Sequence, residues 1–228
     1  IQFQGVNFGD DKRPPSLIYS YEPKTLESMI QNNELTEKQK NKIAVEIVLG
    51  MKFIHSRNLV HSNLKPSNIL ISKDNHVRIN DFYLNKIEAL KSKDVDSLRY
   101  LAPELCENEE QIHLTNKADV YSFGIVLSYL ITNKHADEDL KLLCIKAIPY
   151  KLYLEVNWVQ KLIRRCLYPY PEKRASFDEV LEIMREHNFD LFNDEDSELS
   201  QNEQDNLKQE IEKEIMMTEA FEYLHQDE

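Results

Sequence analysis

The sequence predicts an α+β fold that is mostly helical and carries a few strands. Residues 1–23 and 59–79 contain the β-type segments, and most of the chain between residues 36 and 187 repeats its apolar residues with helical spacing. With 228 residues and 41% hydrophobic content, the chain can bury a large core. These features predict a globular protein that is built mainly from helices.

The N-terminal residues predict a β-hairpin followed by a short helix. Ile1–Val6 and Ser16–Tyr21 are β-type segments, and the polar turn between them contains Gly9 and two prolines. A short helix is predicted to begin near Thr25.

The first long helix is predicted over residues 36–57. Thr36 is a candidate N-cap, and Gln39 stands at the position of its capping-box partner. The apolar positions recur at steps of three and four residues: Ala44, Ile47, Met51 and Ile54. This pattern predicts a face that packs into the core rather than one that binds a cofactor.

The central stretch places a polar loop, residues 61–68, between two short β-type runs. Leu59-Val60 precedes the loop, and Ile69–Ile71 follows it. After a turn, a second strand at residues 77–79 leads to Asp81. The sequence therefore predicts a hairpin that presents the amide of Asn68 and the carboxylate of Asp81 at matching ends.

The rest of the chain predicts helices. An apolar helix begins near Lys117 and extends to about Ile131, and its composition predicts a central, buried position. Further helices are expected at about 138–147, 156–167 and 176–187. Their predicted apolar faces are Trp158, Leu162, Ile163, Cys166 and Leu167 on the second, and Phe177, Val180, Leu181 and Met184 on the third.

Several short motifs, in order, resemble those of protein kinases. Residues 61–68, His-Ser-Asn-Leu-Lys-Pro-Ser-Asn, resemble the catalytic loop H-R-D-L-x-x-x-N, and residues 81–83, Asp-Phe-Tyr, resemble the D-F-G turn. Residues 102–104, Ala-Pro-Glu, match A-P-E, and residues 119–124 resemble the start of the central kinase helix. Over roughly residues 1–189 the chain is similar to a tyrosine-kinase-like serine/threonine kinase. The resemblance implies a helical C-lobe and the end of an N-lobe.

The resemblance also implies roles for individual residues, with ATP and Mg²⁺ as the cofactors. It places Asn68 and Asp81 on the metal and Lys65 on the transferred phosphoryl group. The residues implied in adenine binding are Tyr19, Ser20, Tyr21, Glu22 and Leu70. The residues with implied structural roles are His55, His61 beneath Phe82, Glu104 paired with Arg174, and Asp119 as the anchor of the catalytic-loop backbone.

Three positions depart from the kinase pattern. Asn63 replaces the catalytic Asp, and a neutral amide cannot accept the proton of a substrate hydroxyl, so a loss of about 10²–10⁴-fold in rate is expected. Ser62 replaces the Arg that would grip a phosphorylated activation loop, and Tyr83 replaces a conformationally free Gly. The departures predict a pseudokinase that acts through a protein partner.

Two other interpretations stay open. The chain could be a slow serine/threonine kinase that acts on a protein substrate, because positioning and charge stabilisation supply most of phosphoryl-transfer catalysis. It could also be a truncated product without a folded N-lobe. It begins at Ile1, and its four glycines cannot form G-x-G-x-x-G, so we expect residues upstream.

The charge distribution and the cysteine content limit the classes of partner and the cellular location that we expect. Residues 190–228 hold fourteen acidic and two basic side chains, whereas residues 1–189 are balanced and show no basic stripe, so nucleic acid is not expected. No apolar run is long enough to span a membrane. The three cysteines, Cys106, Cys144 and Cys166, predict reduced thiols in a cytoplasmic protein rather than disulfides or a zinc site.

The predicted domain boundaries are 1–23 for the end of the N-lobe, 24–189 for the C-lobe and 190–228 for an acidic tail. Residues 193–206 predict disorder, and a short amphipathic helix is predicted after residue 207 that either docks on the lobe or a partner or stays solvated. Ser92, Ser97 and Tyr100 are candidate modification sites, with solvated loop residues as the default expectation.

Overall fold

The computed structural model describes residues 3–9, 16–81, 95–105, 114–135 and 158–187. The chain divides into two units, of which Pro23–Leu191 is the larger. The described residues of the smaller unit are 3–9 and 16–22. Each unit has its own sheet, two-stranded in the smaller unit and three-stranded in the larger one.

The smaller unit contains the predicted hairpin. Strands β1 (Phe3–Asn7) and β2 (Ser16–Tyr19) pair antiparallel, with Phe3 opposite Tyr19 and an irregularity between Phe3 and Gly5. After β1, Asn7 Oδ1 accepts a hydrogen bond from the N–H of Gly9, whose φ of 74° lies in the region that glycine adopts readily.

The larger unit begins with strand β3 (Lys24–Thr25) and helix α1 (Leu26–Gln31). Thr25 ends the strand and caps the helix, because its Oγ1 accepts from the Ser28 N–H at 3.1 Å while Ser28 Oγ accepts from the Thr25 N–H at 3.2 Å. The chain therefore passes from strand to helix without a loop.

Helix α2 (Glu37–Ser56) is the predicted long helix. The Thr36–Gln39 capping box forms as predicted, and the residues of the predicted apolar stripe are buried. Leu59 N–H reaches back to Ile54 O at 3.3 Å, and Asn58 has a φ of 58°, so the backbone after the helix closes on the helix C-terminus.

The three-stranded sheet has the order β3-β4-β5, with β4 at Ile69–Ile71 and β5 at Val77–Ile79. Both strands of the predicted hairpin form. The expected β-type run at Leu59-Val60 is wrong, because the Leu59 N–H is used by the end of α2 and the free side of β4 pairs with β3 instead.

Four further helices are described: α3 (Val95–Leu98), α4 (Asn116–Thr132), α5 (Trp158–Cys166) and α6 (Phe177–Glu186). Every residue of α4 from 118 to 130 is buried, which confirms its predicted central position. The rings of Phe123 and Phe177 meet edge to face at 5.5 Å between centroids, so α4 packs against α6. On the predicted face of α5, Trp158 is half-buried and the other residues are buried.

Several predicted features lie outside the described residues. They are Phe82 and Tyr83, the helix at 138–147, Cys106 and Cys144, Ser92 and the tail at 190–228. Cys166 is buried and free, and burial raises the pKa of its thiol to about 12. None of the described helices is both long and apolar enough to cross a membrane.

Candidate functional site

The loop at residues 61–68 is held by one buried carboxylate on helix α4. Asp119 is fully buried, and its Oδ2 accepts the His61 N–H at 2.8 Å while its Oδ1 accepts the Ser62 N–H at 2.6 Å. His55 Nε2 donates to the same Oδ2 at 2.9 Å. The start of α4 and the end of α2 thus meet at the loop, and Asp119 contacts its backbone directly.

Ser62 has a backbone conformation that a serine rarely adopts. Its φ is 66°, in the left-handed region that costs a non-glycine residue free energy. The charge-assisted bonds from the His61 and Ser62 N–H groups to Asp119 offset this cost. The shape of the loop is therefore imposed by tertiary contacts.

The ring of His61 links the loop to Asn80, the residue that follows strand β5. Nδ1 accepts the Asn63 N–H at 3.1 Å, so the proton is on Nε2, which donates to Asn80 O at 3.2 Å. Burial lowers the pKa of His61 to about 4, although the nearby Asp119 carboxylate opposes the shift. The ring is therefore neutral near pH 7 and holds two backbone segments together.

Asn63, at the position where the resemblance implies the lost base, is half-buried in the same loop. Its N–H donates to His61, and its carbonyl oxygen accepts a hydrogen bond from Asn68 Nδ2 at 2.8 Å. Both backbone groups of the residue are thus engaged. The loop frame around this position is complete, although the side chain is a neutral amide.

Asn68 ends the short 3₁₀ turn Pro66–Asn68 and is only 5% exposed. Its side-chain nitrogen is used by Asn63, which directs the side-chain oxygen away from that bond. Its carbonyl oxygen accepts the Asn80 N–H at 2.9 Å. Because Asn80 immediately precedes Asp81, this bond brings Asn68 and Asp81 to the same end of the hairpin.

Asp81 is exposed and has a φ of 57°, a conformation that Asp tolerates better than most residues. Partial desolvation raises the pKa of its carboxyl group, and the charge of Lys65 opposes that shift. Lys65 Nζ donates to Ser97 Oγ at 2.8 Å. Lys65 is therefore tied to helix α3 while it remains within electrostatic reach of Asp81.

The side-chain oxygens of Asn68 and Asp81 are of the type that binds a hard cation. Carboxylate and amide oxygens are Mg²⁺ ligands, and Mg²⁺ commonly binds one or two carboxylates together with substrate phosphates and water. Across the described residues no group of three or more His, Cys, Asp or Glu side chains could hold a metal ion. Asn68 and Asp81 supply two oxygen ligands of the kind that Mg²⁺ takes, and their part in metal binding stays a prediction.

The residues predicted to bind adenine fall in both units. In the smaller unit, Tyr19 ends β2, Ser20 and Glu22 are half-buried, and Tyr21 is 82% exposed. In the larger unit, Leu70 lies in the middle of β4 and is half-buried. The part of these five residues in nucleotide binding stays a prediction.

The predicted structural pair is present. Arg174 is buried and donates through Nη1 to Glu104 Oε1 and through Nη2 to Glu104 Oε2, both at 2.7 Å. The same guanidinium donates to the carbonyl oxygens of Tyr168, Pro169 and Lys117. Through these bidentate and single hydrogen bonds, Arg174 connects the segments at Glu104, at Lys117 and at residues 168–169.

One expectation about modification sites is wrong. Tyr100 is 5% exposed rather than solvated, because the chain before residues 103–105 packs on α4 and Ser122 Oγ donates to Tyr100 O at 2.6 Å. Ser97 is half-buried and accepts from Lys65.

Sequence reasoning missed two residues of α2 that contact β5. Glu46 Oε2 accepts the Val77 N–H at 2.7 Å, and its Oε1 accepts from His76 Nδ1 at 2.9 Å. Gly50 lies against Ile79. The available signal was a single acidic residue inside the apolar run at residues 43–48.

The hairpin, the anchored loop and the Glu104–Arg174 pair together define a protein-kinase-like domain. The family model for the protein kinase domain matches residues 6–184, and the chain belongs to that family. The resemblance seen in the sequence and the α+β fold class are thereby confirmed.

Named relatives are serine/threonine and other kinases. The chain is 34% identical to protein kinase kin1 of Schizosaccharomyces pombe over 165 residues, which are 68% of this chain and 18% of that protein. It is 29% identical to serine/threonine-protein kinase STY46 of Arabidopsis thaliana over 151 residues, 64% of this chain and 24% of that one. A probable inactive receptor kinase of the same plant is 38% identical over 106 residues, 44% and 10% of the two chains. The chain thus spans a quarter or less of these relatives' length.

Proposed function

We propose that this chain is a catalytically impaired protein-kinase-like domain that regulates or binds other proteins and retains weak binding of ATP and Mg²⁺. The observation that carries the proposal is Asn63, an amide where the family pattern has its base, in a loop whose frame is intact. The proposed impairment therefore lies in substituted side chains, Asn63 together with Ser62 and Tyr83, while the backbone bonds of the loop are present.

The chemistry follows from the side chain. An amide oxygen is too weak a base to take the proton of an attacking hydroxyl, and a positioned base is typically worth about 10²–10⁴-fold in rate. Asp119 and His61 still hold the loop backbone. Binding groups can therefore persist where proton transfer does not.

Residual nucleotide binding is supported by Asn68 and Asp81, which lie at the same end of the β4–β5 hairpin. When bound, Mg²⁺ would neutralise phosphate charge, and Asn68 and Asp81 are the residues that would hold it. Lys65 supplies a positive charge near Asp81, and its ammonium group also donates a hydrogen bond to Ser97 Oγ. Residues 19–22 and Leu70 are the proposed contacts for adenine.

The second candidate is a slow serine/threonine kinase acting on a protein substrate. Lys65, two residues after Asn63, is typical of serine/threonine kinases, and Asn68 and Asp81 are both retained. A relative named as a serine/threonine kinase supports this candidate, and the relative named as probably inactive supports the first.

The remaining proposals concern context. The domain boundaries are proposed at 1–23, 24–189 and 190–228, with the acidic tail available to a protein partner rather than to nucleic acid. The free, buried Cys166 supports a cytoplasmic location, where thiols stay reduced.

The decisive experiment restores the base. Asn63→Asp is introduced into the longest natural form of the protein, and phosphoryl transfer from ATP to a general protein substrate is measured beside the unchanged protein and Asn63→Asp/Asp81→Ala. A gain of about 100-fold or more that Asp81→Ala removes supports the impaired-kinase proposal. Slow phosphoryl transfer by the unchanged protein, abolished in a single Asp81→Ala variant measured beside it, would instead support the second candidate.

A further inference from the structure

The hairpin β4–β5 has an open end and a closed end, and α2 contacts β5 at Val77 and at Ile79. The open end carries Asn68 and Asp81, joined through the bond from Asn80 N–H to Asn68 O. At the closed end, Ser72 N–H donates to His76 O at 2.9 Å. Among the described strands β5 lies at the edge of the sheet, so the N–H groups on its outer side bond to groups outside that sheet.

Glu46 provides that contact. Its Oε2 accepts the Val77 N–H at 2.7 Å, and its Oε1 accepts from His76 Nδ1 at 2.9 Å, so both oxygens hold the same short segment. Lys42 approaches at 3.8 Å, one turn earlier on α2. A half-buried carboxylate that bonds a strand N–H in this way fixes the strand relative to the helix.

Gly50, one helical turn after Glu46, gives a second contact to the same strand. A Cβ built at Gly50 would lie 2.8 Å from Ile79 Cδ1, closer than real contacts allow. The contacted atom is the terminal methyl group of Ile79, two residues before Asp81, and this methyl group can turn away at little cost. The hydrogen bonds of Glu46 hold the backbone of β5 to the helix, and the Gly50 contact extends the packing to Ile79.

We propose that Glu46 is a positioning residue for Asp81, acting through Val77 and β5, an inference that rests on the proposed function of Asp81 in holding nucleotide-bound Mg²⁺. Glu46 sets the strand, the strand sets Asn80, and the Asn80 N–H to Asn68 O bond sets the pair of metal-binding oxygens. Residues that orient metal ligands from behind typically change metal affinity by about 10–100-fold when removed.

The test compares Glu46→Ala with Glu46→Gln and with Lys42→Ala as the matched control on the same helix. The first readout is amide hydrogen exchange of Asn80 in the folded protein without ligand. The second is the affinity for ATP, measured by calorimetry in Mg²⁺ and again in EDTA. Glu46→Asp, whose shorter side chain cannot keep both bonds with the same geometry, gives a second way to loosen β5 if Glu46→Ala does not fold.

We expect Glu46→Ala to speed Asn80 exchange by about tenfold or more and to weaken Mg²⁺·ATP binding by about tenfold, with less than about a twofold change in EDTA. Glu46→Gln keeps an acceptor for the Val77 N–H and should restore most of both values. Lys42→Ala should change neither.

Unchanged Asn80 exchange in Glu46→Ala, or in Glu46→Asp where Glu46→Ala does not fold, would overturn the inference, as would an equal loss of ATP affinity in Mg²⁺ and in EDTA. If the unchanged protein binds no Mg²⁺·ATP, the nucleotide part of the proposed function fails, and Asn80 exchange alone decides whether Glu46 positions the strand.

Discussion

At the scale of single residues, the loop at residues 61–68 keeps a hydrogen-bonded backbone around Asn63, the amide that stands where the kinase pattern has an Asp. His61, Ser62 and Asn63 each donate a backbone N–H to a side chain, and two of these bonds end on Asp119. The substitution at Asn63 leaves those bonds untouched because they involve only its backbone. The shape of the loop therefore does not depend on the side chain at this position.

His61 predicts that stability depends on pH. Its folded-state pKa of about 4 lies below the ordinary value of 6.5, so the unfolded chain binds more protons between these values. The contribution of His61 to the free energy of unfolding is complete above about pH 6.5. It is lost as the pH drops towards 4, by about 3 kcal/mol at most. Urea unfolding at several pH values, with His61→Gln as the comparison, measures it. Equal slopes in the two proteins would contradict the prediction.

Asp119 predicts a large loss on truncation. Asp119→Ala leaves the His61 and Ser62 N–H groups and the His55 ring without their acceptor, which should cost about 2–4 kcal/mol. Denaturant unfolding measures the loss. Asp178→Ala, which removes an exposed acid paired with Lys52, is the control and should cost under about 1 kcal/mol. Similar losses in both variants would show that the anchor matters little.

At the scale of elements, close packing between helices depends on a glycine. A Cβ at Gly124 of α4 would lie 2.8 Å from Cys166 Cβ and from Leu167 Cδ2, at the end of α5. A glycine inside a helix costs about 1 kcal/mol relative to alanine, so its presence here is explained by the contact rather than by the helix.

Gly124→Ala is therefore expected to destabilise the protein by about 1–3 kcal/mol, despite the gain in helix propensity, because overpacking forces α4 and α5 apart. The thermal midpoint measures the effect. Gly5→Ala, where a Cβ would meet nothing within 4 Å, is the control and should leave the midpoint nearly unchanged. A higher midpoint for Gly124→Ala would show that the helices adjust freely.

At the scale of the whole molecule, Arg174 connects segments that are far apart in the chain. It binds Glu104, the carbonyl oxygen of Lys117 at the start of α4, and two carbonyl oxygens in the loop after α5. Its guanidinium also lies over the Tyr121 ring at 5.0 Å.

Arg174→Met should destabilise the folded protein by about 3–5 kcal/mol, because it leaves the Glu104 carboxylate and several carbonyl groups without a donor. Arg174→Met with Glu104→Met should recover part of that loss, since no lone charge remains. Chemical unfolding of the two single variants and the double variant measures the coupling. Strictly additive losses would mean that the pair does not act as a unit.

The sequence by itself determined the fold class, the long helices and the position of the central hairpin. The α2 capping box and its stripe of apolar residues depend on neighbours along the chain, and local spacing is enough to predict them. The motif order identified the loop, the Asp81 turn and the Glu104–Arg174 pair, because these residues recur at characteristic separations in the family.

Only the tertiary structure decided which strand pairs with β4 and how Ser62 reaches its positive φ. It also decided that Glu46 and Gly50 contact β5. β3 lies over forty residues before β4 in the chain, and Glu46 bonds a backbone group 31 residues away. Such contacts depend on which backbone groups remain unpaired after the local elements have formed, and a hydrophobic pattern carries no record of them. Tyr100 is buried for the same reason, because α4 packs against a segment whose local sequence is typical of a loop.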